Sequence, residues 1–110
     1  MTDASYSKML ADVGRALFTA AISSKRTDLL ERMNNPRVGD LVLETTRLGP
    51  FDPDSIGRLV ALEQPEQVYG RTEYGRFVVA PLHDPSREQG WQNAQFIALP
   101  EGKLRDWINS

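Results

Sequence analysis

Cysteine is absent from the chain, which excludes a disulfide scaffold, a zinc–cysteine site, an iron–sulfur cluster and a thiol nucleophile. Histidine occurs once, at His83, so any imidazole chemistry must run through that side chain. No apolar run approaches the roughly 20 residues needed to span a bilayer. Met1-Thr2-Asp3-Ala4-Ser5 has no basic stretch leading into an apolar one, so we expect no signal peptide, a cytoplasmic location and no membrane partner. A dominant charge is lacking too: 13 basic residues stand against 15 acidic ones, net −2. Cut after Pro36, the first part carries five basic and four acidic residues, the remainder eight and eleven. Neither is a basic lobe, which disfavours a protein devoted to gripping phosphate backbones.

What is present is ordinary globular composition, 40% hydrophobic and 25% charged over 110 residues, the size of a single domain. From Ser5 to about Ser23, Tyr6, Met9, Leu10, Val13, Leu17, Ala20 and Ala21 recur at steps of three and four, one stripe on a helix. Thr2, Asp3 or Ser5 is the expected cap. Thr27 is positioned to cap a second short helix carrying Leu29, Leu30 and Met33. Asn34-Asn35-Pro36 ends it, because proline disfavours helical geometry in the residue before it. A stripe that one small sheet cannot cover would pair with its counterpart, making the N-terminal helix the expected homo-oligomer contact.

After Pro36 the period changes to two. Asp40–Thr46, Ile56–Leu62 and Arg76–Ala80 read as strands, with Leu48–Ser55 and His83–Gly90 as turn-rich loops. Gln64-Pro65-Glu66 is expected to break the second strand, leaving Gln67-Val68-Tyr69 as an edge piece. Trp91–Leu99 reads as one last strand, and Leu104, Trp107 and Ile108 share a face of a closing helical turn. The expected fold is α+β: a helical segment over 1–36, a β-rich body over 37–100 and a helical turn over 101–110. The helix, or helical hairpin, packs on a small antiparallel barrel or bent sheet.

Val38-Gly39-Asp40-Leu41-Val42, Ile56-Gly57-Arg58-Leu59-Val60 and Trp91-Gln92-Asn93-Ala94-Gln95-Phe96-Ile97 carry a further signal. With these segments the body resembles the SH3-like small barrels, in which a "G-D-hydrophobic" opening strand, a "G-polar-hydrophobic" second strand and an aromatic-led late strand are common. It is similar in arrangement to small proteins of high-GC bacteria and their phages. The resemblance covers residues 38–100 and implies a fold; it transfers no functional residue.

Chemistry is sparse. His83, Asp84 and Ser86 are neighbours, but catalytic triads are set by geometry rather than adjacency, and Asp84-Pro85-Ser86 is turn composition. Asp52 and Asp54 have a spacing usable by a hard cation, yet the glycine and distal glutamate of a calcium loop are missing. A small metal-dependent enzyme is therefore the least favoured reading, and neither catalysis nor a cofactor is expected. Lys25, Arg26, Arg32 and Arg37 form the one basic cluster, a candidate phosphate surface for a nucleic-acid-associated protein, with Asp28 and Glu31 interleaved. The favoured reading is a non-catalytic protein-binding or adaptor module. Tyr69-Gly70-Arg71-Thr72-Glu73-Tyr74-Gly75 reads as an aromatic loop, and Tyr69, Arg71, Tyr74 and Trp91 are the expected contacts, because Tyr and Trp give large contact area with few rotatable bonds. Phe77 and Phe96 are expected in the core.

Overall fold

The change of apolar period at Pro36 divides the architecture. In the computed structural model, which describes residues 4–47 and 49–110, helix α1 spans Ala4–Ser23 and helix α2 spans Thr27–Asn34. Strands β1 (Leu41–Glu44), β2 (Ile56–Val68), β3 (Arg71–Pro81), β4 (Gln89–Gln92) and β5 (Phe96–Leu99) follow. A 3₁₀ turn at Pro53–Ser55 leads into β2, and helix α3 (Leu104–Ile108) comes last. The fold is α+β, with a five-stranded antiparallel sheet of order β4-β3-β2-β1-β5.

The sheet is bent and not closed into a barrel, since β4 and β5 are its two edges and do not pair. Trp91 on β4 and Phe96 on β5 nevertheless meet edge to face, 5.8 Å between ring centroids. Four strand spacings of a flat sheet would separate them by about 19 Å, so the concave face wraps round them. A bulge between Leu59 and Ala61 adds to the bend. Each face has its own core. Val42, Leu59, Phe77, Val79, Trp91 and Phe96 fill the concave side; Leu41, Leu43, Ile56, Ile97 and Leu99 meet Ala11, Leu29, Met33 and Trp107 on the other.

Where β2 crosses β3, only glycine fits. Gly57 lies opposite Pro81, and a Cβ there would sit 2.8 Å from the Pro81 Cα and closer still to the Ala80 carbonyl.

Helix α1 is turned away from the expected stripe. Its buried face is Ser7, Ala11, Gly14 and Ala21, with Leu10, Leu17 and Phe18 half-buried, whereas Tyr6, Met9 and Val13 are exposed. The small residues let the helix backbone come close to β5; a Cβ on Gly14 would lie 2.5 Å from Leu99 Cδ2. Close approach over a small-residue face outweighs the large apolar side chains in fixing the rotation. Thr2 and Asp3 lie outside the described residues, and Ser5 sits inside the helix. Residues 27–34 do form a separate helix, but its cap position is Arg26, with no side-chain capping bond.

Several strand boundaries differ from the sequence reading: β1 is shorter than Asp40–Thr46, and β4 begins at Gln89 inside the expected loop. β2 runs through Pro65 to Val68, and β3 begins at Arg71, so residues 69–75 are not a loop. Pro65 is tolerated because this stretch is a two-stranded ribbon with free edges rather than a central strand. The segment 91–99 splits into β4 and β5 at a turn where Asn93 takes φ 54°.

Candidate functional site

The β2–β3 hairpin outgrows the sheet that supports it. β1 pairs with β2 only at Ile56–Arg58, and β4 pairs with β3 only at Arg76–Val79. Residues 63–75 therefore project as a two-stranded arm. Val68 and Arg71 are cross-strand partners, which leaves Tyr69-Gly70 as a two-residue turn with φ 50° and 78°. Tight hairpins favour such left-handed pairs, normally built from Asn-Gly or Asp-Gly. A tyrosine in the first position is costly, and its side chain is 99% exposed.

Gln67 Nε2 donates to Thr72 Oγ1 at 2.7 Å and ties the two strands together below the turn. Glu66 and Glu73 face each other across the ribbon, while Arg71 lies 3.6 Å from Glu73 in an exposed pair. Tyr69, Arg71 and Tyr74, three of the expected contact residues, thus share one solvent-exposed arm, with Tyr74 at 36% exposure.

Beneath the arm the open side of the sheet leaves a groove of about 800 Å³. Leu62, Phe77 and Phe96 line its apolar part, Arg71 and Tyr74 stand on the arm side, and Asn35 and Arg37 on the other. Phe77 and Phe96 are also core residues as expected, with ring centroids 5.1 Å apart.

Trp91 departs from the expectation that it is a contact. It is 6% exposed and packs within the concave core. The Arg47 guanidinium lies 4.8 Å above its ring and shields the remaining face. Trp91 is therefore a structural residue, and the exposed aromatics are Tyr69 and Tyr74.

The basic cluster is also dispersed. Arg32 is 7% exposed and forms two bonds to Asp40, Nη1 to Oδ2 at 2.7 Å and Nη2 to Oδ1 at 2.9 Å. Its guanidinium stacks 4.4 Å from the Trp107 ring centroid. This removes Arg32 from any phosphate-contacting surface. Arg26 is paired with Asp28 on the surface, and that pairing raises its pKa and lowers that of Asp28. Arg37 donates to the Ser110 carbonyl, and Lys25 sits exposed in the α1–α2 turn at φ 54°.

The structure places His83 against Asp54, not Asp84. His83 Nε2 is 3.3 Å from Asp54 Oδ1, and Arg87 binds that same carboxylate oxygen. The other ring nitrogen, Nδ1, is buried without a partner. Ser86 Oγ donates to Asp84 at 2.8 Å, so serine and histidine are not coupled as nucleophile and base. Asp52 accepts from the Asp54 amide and pairs with Arg47, which turns the two carboxylates to different partners. Among the described residues no three His, Cys, Asp or Glu side chains come together as a metal site, and no helix is long and apolar enough to cross a membrane.

Two structural features escaped the sequence reading: the length of the arm, and the buried Arg32–Asp40 pair. The YG dipeptide flanked by β-formers was the available signal for the first. No protein-family model, curated protein or solved structure matches the chain.

Proposed function

We propose that this chain is a non-catalytic protein-recognition module whose contact surface is the β2–β3 arm. One observation carries the reading: a tyrosine held in a left-handed conformation and fully exposed at the tip of a projecting hairpin. Such strain persists where the surrounding structure enforces it and is concentrated at functional positions. A rigid aromatic with few rotatable bonds is the side chain best suited to anchor a contact. Arg71 and Tyr74 extend the surface along the arm toward the groove. The SH3-like resemblance of residues 38–100 belongs to the same reading, supported by five antiparallel strands bent round an aromatic core.

The test is site-specific photo-crosslinking from position 69, compared with a probe at the exposed α1 residue Lys8. Adducts formed from the arm alone and abolished by Tyr74→Ala or Arg71→Ala are the expected result. Equal adducts from both sites, or steeply salt-dependent oligonucleotide binding that Lys25→Ala and Arg37→Ala abolish, would replace this reading with non-specific adhesion or nucleic-acid association.

A further inference from the structure

Helix α1 keeps a second apolar face in solvent. Met9, Val13, Ala16 and Ala20 follow one another at steps of four, three and four, the spacing that holds side chains on one helical stripe. Met9 is 51% and Val13 59% exposed, and both alanines are exposed as well. The stripe lies about 120° round the helix from the buried face of Ser7, Gly14 and Ala21. Half-buried Leu10 and Leu17 join the two faces into one apolar band. Lys8, Asp12, Arg15 and Thr19 are confined to the other flank, where Lys8 Nζ meets Asp12 at 2.8 Å. Single apolar residues on a surface are ordinary, but a run of them along about three turns without a charge marks a contact.

The stripe is graded by size. Its larger side chains, Met9 and Val13, lie toward the N-terminus, and its small ones, Ala16 and Ala20, toward the C-terminus. Lay a second copy of the helix antiparallel to the first, with a twofold axis between Gly14 and Arg15. Met9 then stands opposite Ala20 of the second copy and Val13 opposite its Ala16, and the reverse pairs complete the seam. Every layer joins a larger side chain to a small one, so the two helices keep one distance along the whole contact. A parallel copy would set Met9 on Met9 and Ala20 on Ala20, prising the helices apart at one end and leaving a gap at the other. Sliding the antiparallel copy by one heptad sets Met9 against Val13 and loses the match.

From this match of sizes we infer that two copies of the chain pair through α1 as an antiparallel twofold dimer. The contact is isologous, so it closes at two copies. A strip as long as the 20-residue helix is about 30 Å by 10 Å, roughly 600 Å² over both copies, below the size of a permanent interface. The dimer is therefore reversible and concentration-dependent. Its seam holds no ion pair, so salt does not weaken it. The pairing does not involve the β2–β3 arm and stands whether or not the arm is a recognition surface.

Sedimentation equilibrium across a concentration series tests the pairing, with circular dichroism to show that each variant folds. The unaltered protein is expected to show a monomer–dimer equilibrium. Val13→Glu, a change at an exposed site, abolishes it. Ala20→Met sets methionine against Met9 in both outer layers and weakens the dimer by about tenfold, although it adds apolar surface. Adding Met9→Ala to the same chain exchanges the two sizes and restores it. Because the chain has no cysteine, introduced cysteines report the orientation. Met9→Cys and Ala20→Cys chains are expected to form a disulfide-linked dimer on oxidation when mixed, and neither does so alone. A chain that stays monomeric to millimolar concentration overturns the inference. So does a dimer indifferent to Val13→Glu, one strengthened by Ala20→Met, or one in which either cysteine variant crosslinks by itself. A photoprobe at position 13 that labels a different protein, with no self-association, overturns it equally and gives the face to that partner.

Discussion

Arg32 grips Asp40 with both guanidinium Nη atoms, inside the protein and under the face of Trp107. The contact joins three segments distant in sequence: α2, the turn into β1, and α3. Asp40 Oδ2 also accepts the Arg37 amide at 2.9 Å, so both carboxylate oxygens are satisfied and Oδ2 accepts two bonds. Burial, the largest single influence, pushes the Asp40 carboxyl upward. The Arg32 bonds, the Arg37 amide and the two positive charges together outweigh it and hold Asp40 below the usual carboxylate range. The bond to Asp40 likewise raises Arg32.

A definite acid response follows. A carboxyl whose pKa is lower in the folded chain contributes stability that is complete above the unfolded value, about 3.9, and is lost as pH falls through the folded value. The melting temperature should therefore hold steady near neutrality and drop below about pH 4. Asp40→Asn should flatten that acid limb. It should also lower stability by about 3 kcal/mol at pH 7, because removing one partner strands a buried charge. Chemical denaturation at pH 7 and pH 3 reads both effects.

At Gly57 a single methyl group should be enough to damage the sheet. The Ala80 carbonyl and the Pro81 Cα occupy the space it needs, and both are backbone. Neither can rotate aside as a side chain would. Gly57→Ala is expected to cost about 3 kcal/mol or more, at the upper end for overpacked sites. Gly14→Ala meets the Leu99 side chain instead, and shortening that side chain with Leu99→Val should recover most of its loss. Urea denaturation of the single and double variants measures the difference.

Trp91 and Tyr69 should respond in opposite ways. Trp91→Ala removes a buried ring from the concave core and should destabilise by about 3–5 kcal/mol. It affects recognition only through the fold. Tyr69→Asn puts a residue suited to the left-handed conformation at the hairpin tip and should raise stability by about 0.5–1 kcal/mol. The same change should abolish crosslinks from a probe moved to position 72, further down the arm. Thermal melts and crosslinking yields on both variants separate the core role from the contact role.

The division at Pro36, the two helices and the strand-rich body were legible because each rests on a periodicity the chain repeats several times. The failures share a physical cause, a tertiary arrangement overriding a local signal. Pro65 reads as a strand breaker, yet a ribbon with free edges accommodates it. Tyr69 does not announce a tight turn, because its left-handed geometry is unusual for tyrosine. Ser7, Ala11 and Gly14 look like the weak side of α1, yet small size is what allows the helix to approach β5. Arg32 reads as a surface charge until Asp40, eight residues on, folds back to meet it. For the candidate site, the composition of residues 69–74 singled out the segment that forms the exposed tip of the arm, and the assignment of Trp91 failed because nothing local reveals that Arg47 covers it.

Because the backbone bonds from the rest of the sheet reach the hairpin only as far as Leu59 on one side and Gly75 on the other, its outer half is held mainly by its own cross-strand bonds. Amide protons there should exchange with solvent long before those of β1 or β5, without any opening of the helical layer. The reach of the projection is also separable from the body: cross-strand couples between Leu62 and Val68 can be inserted or deleted two at a time, lengthening or shortening the arm while leaving its foundation untouched.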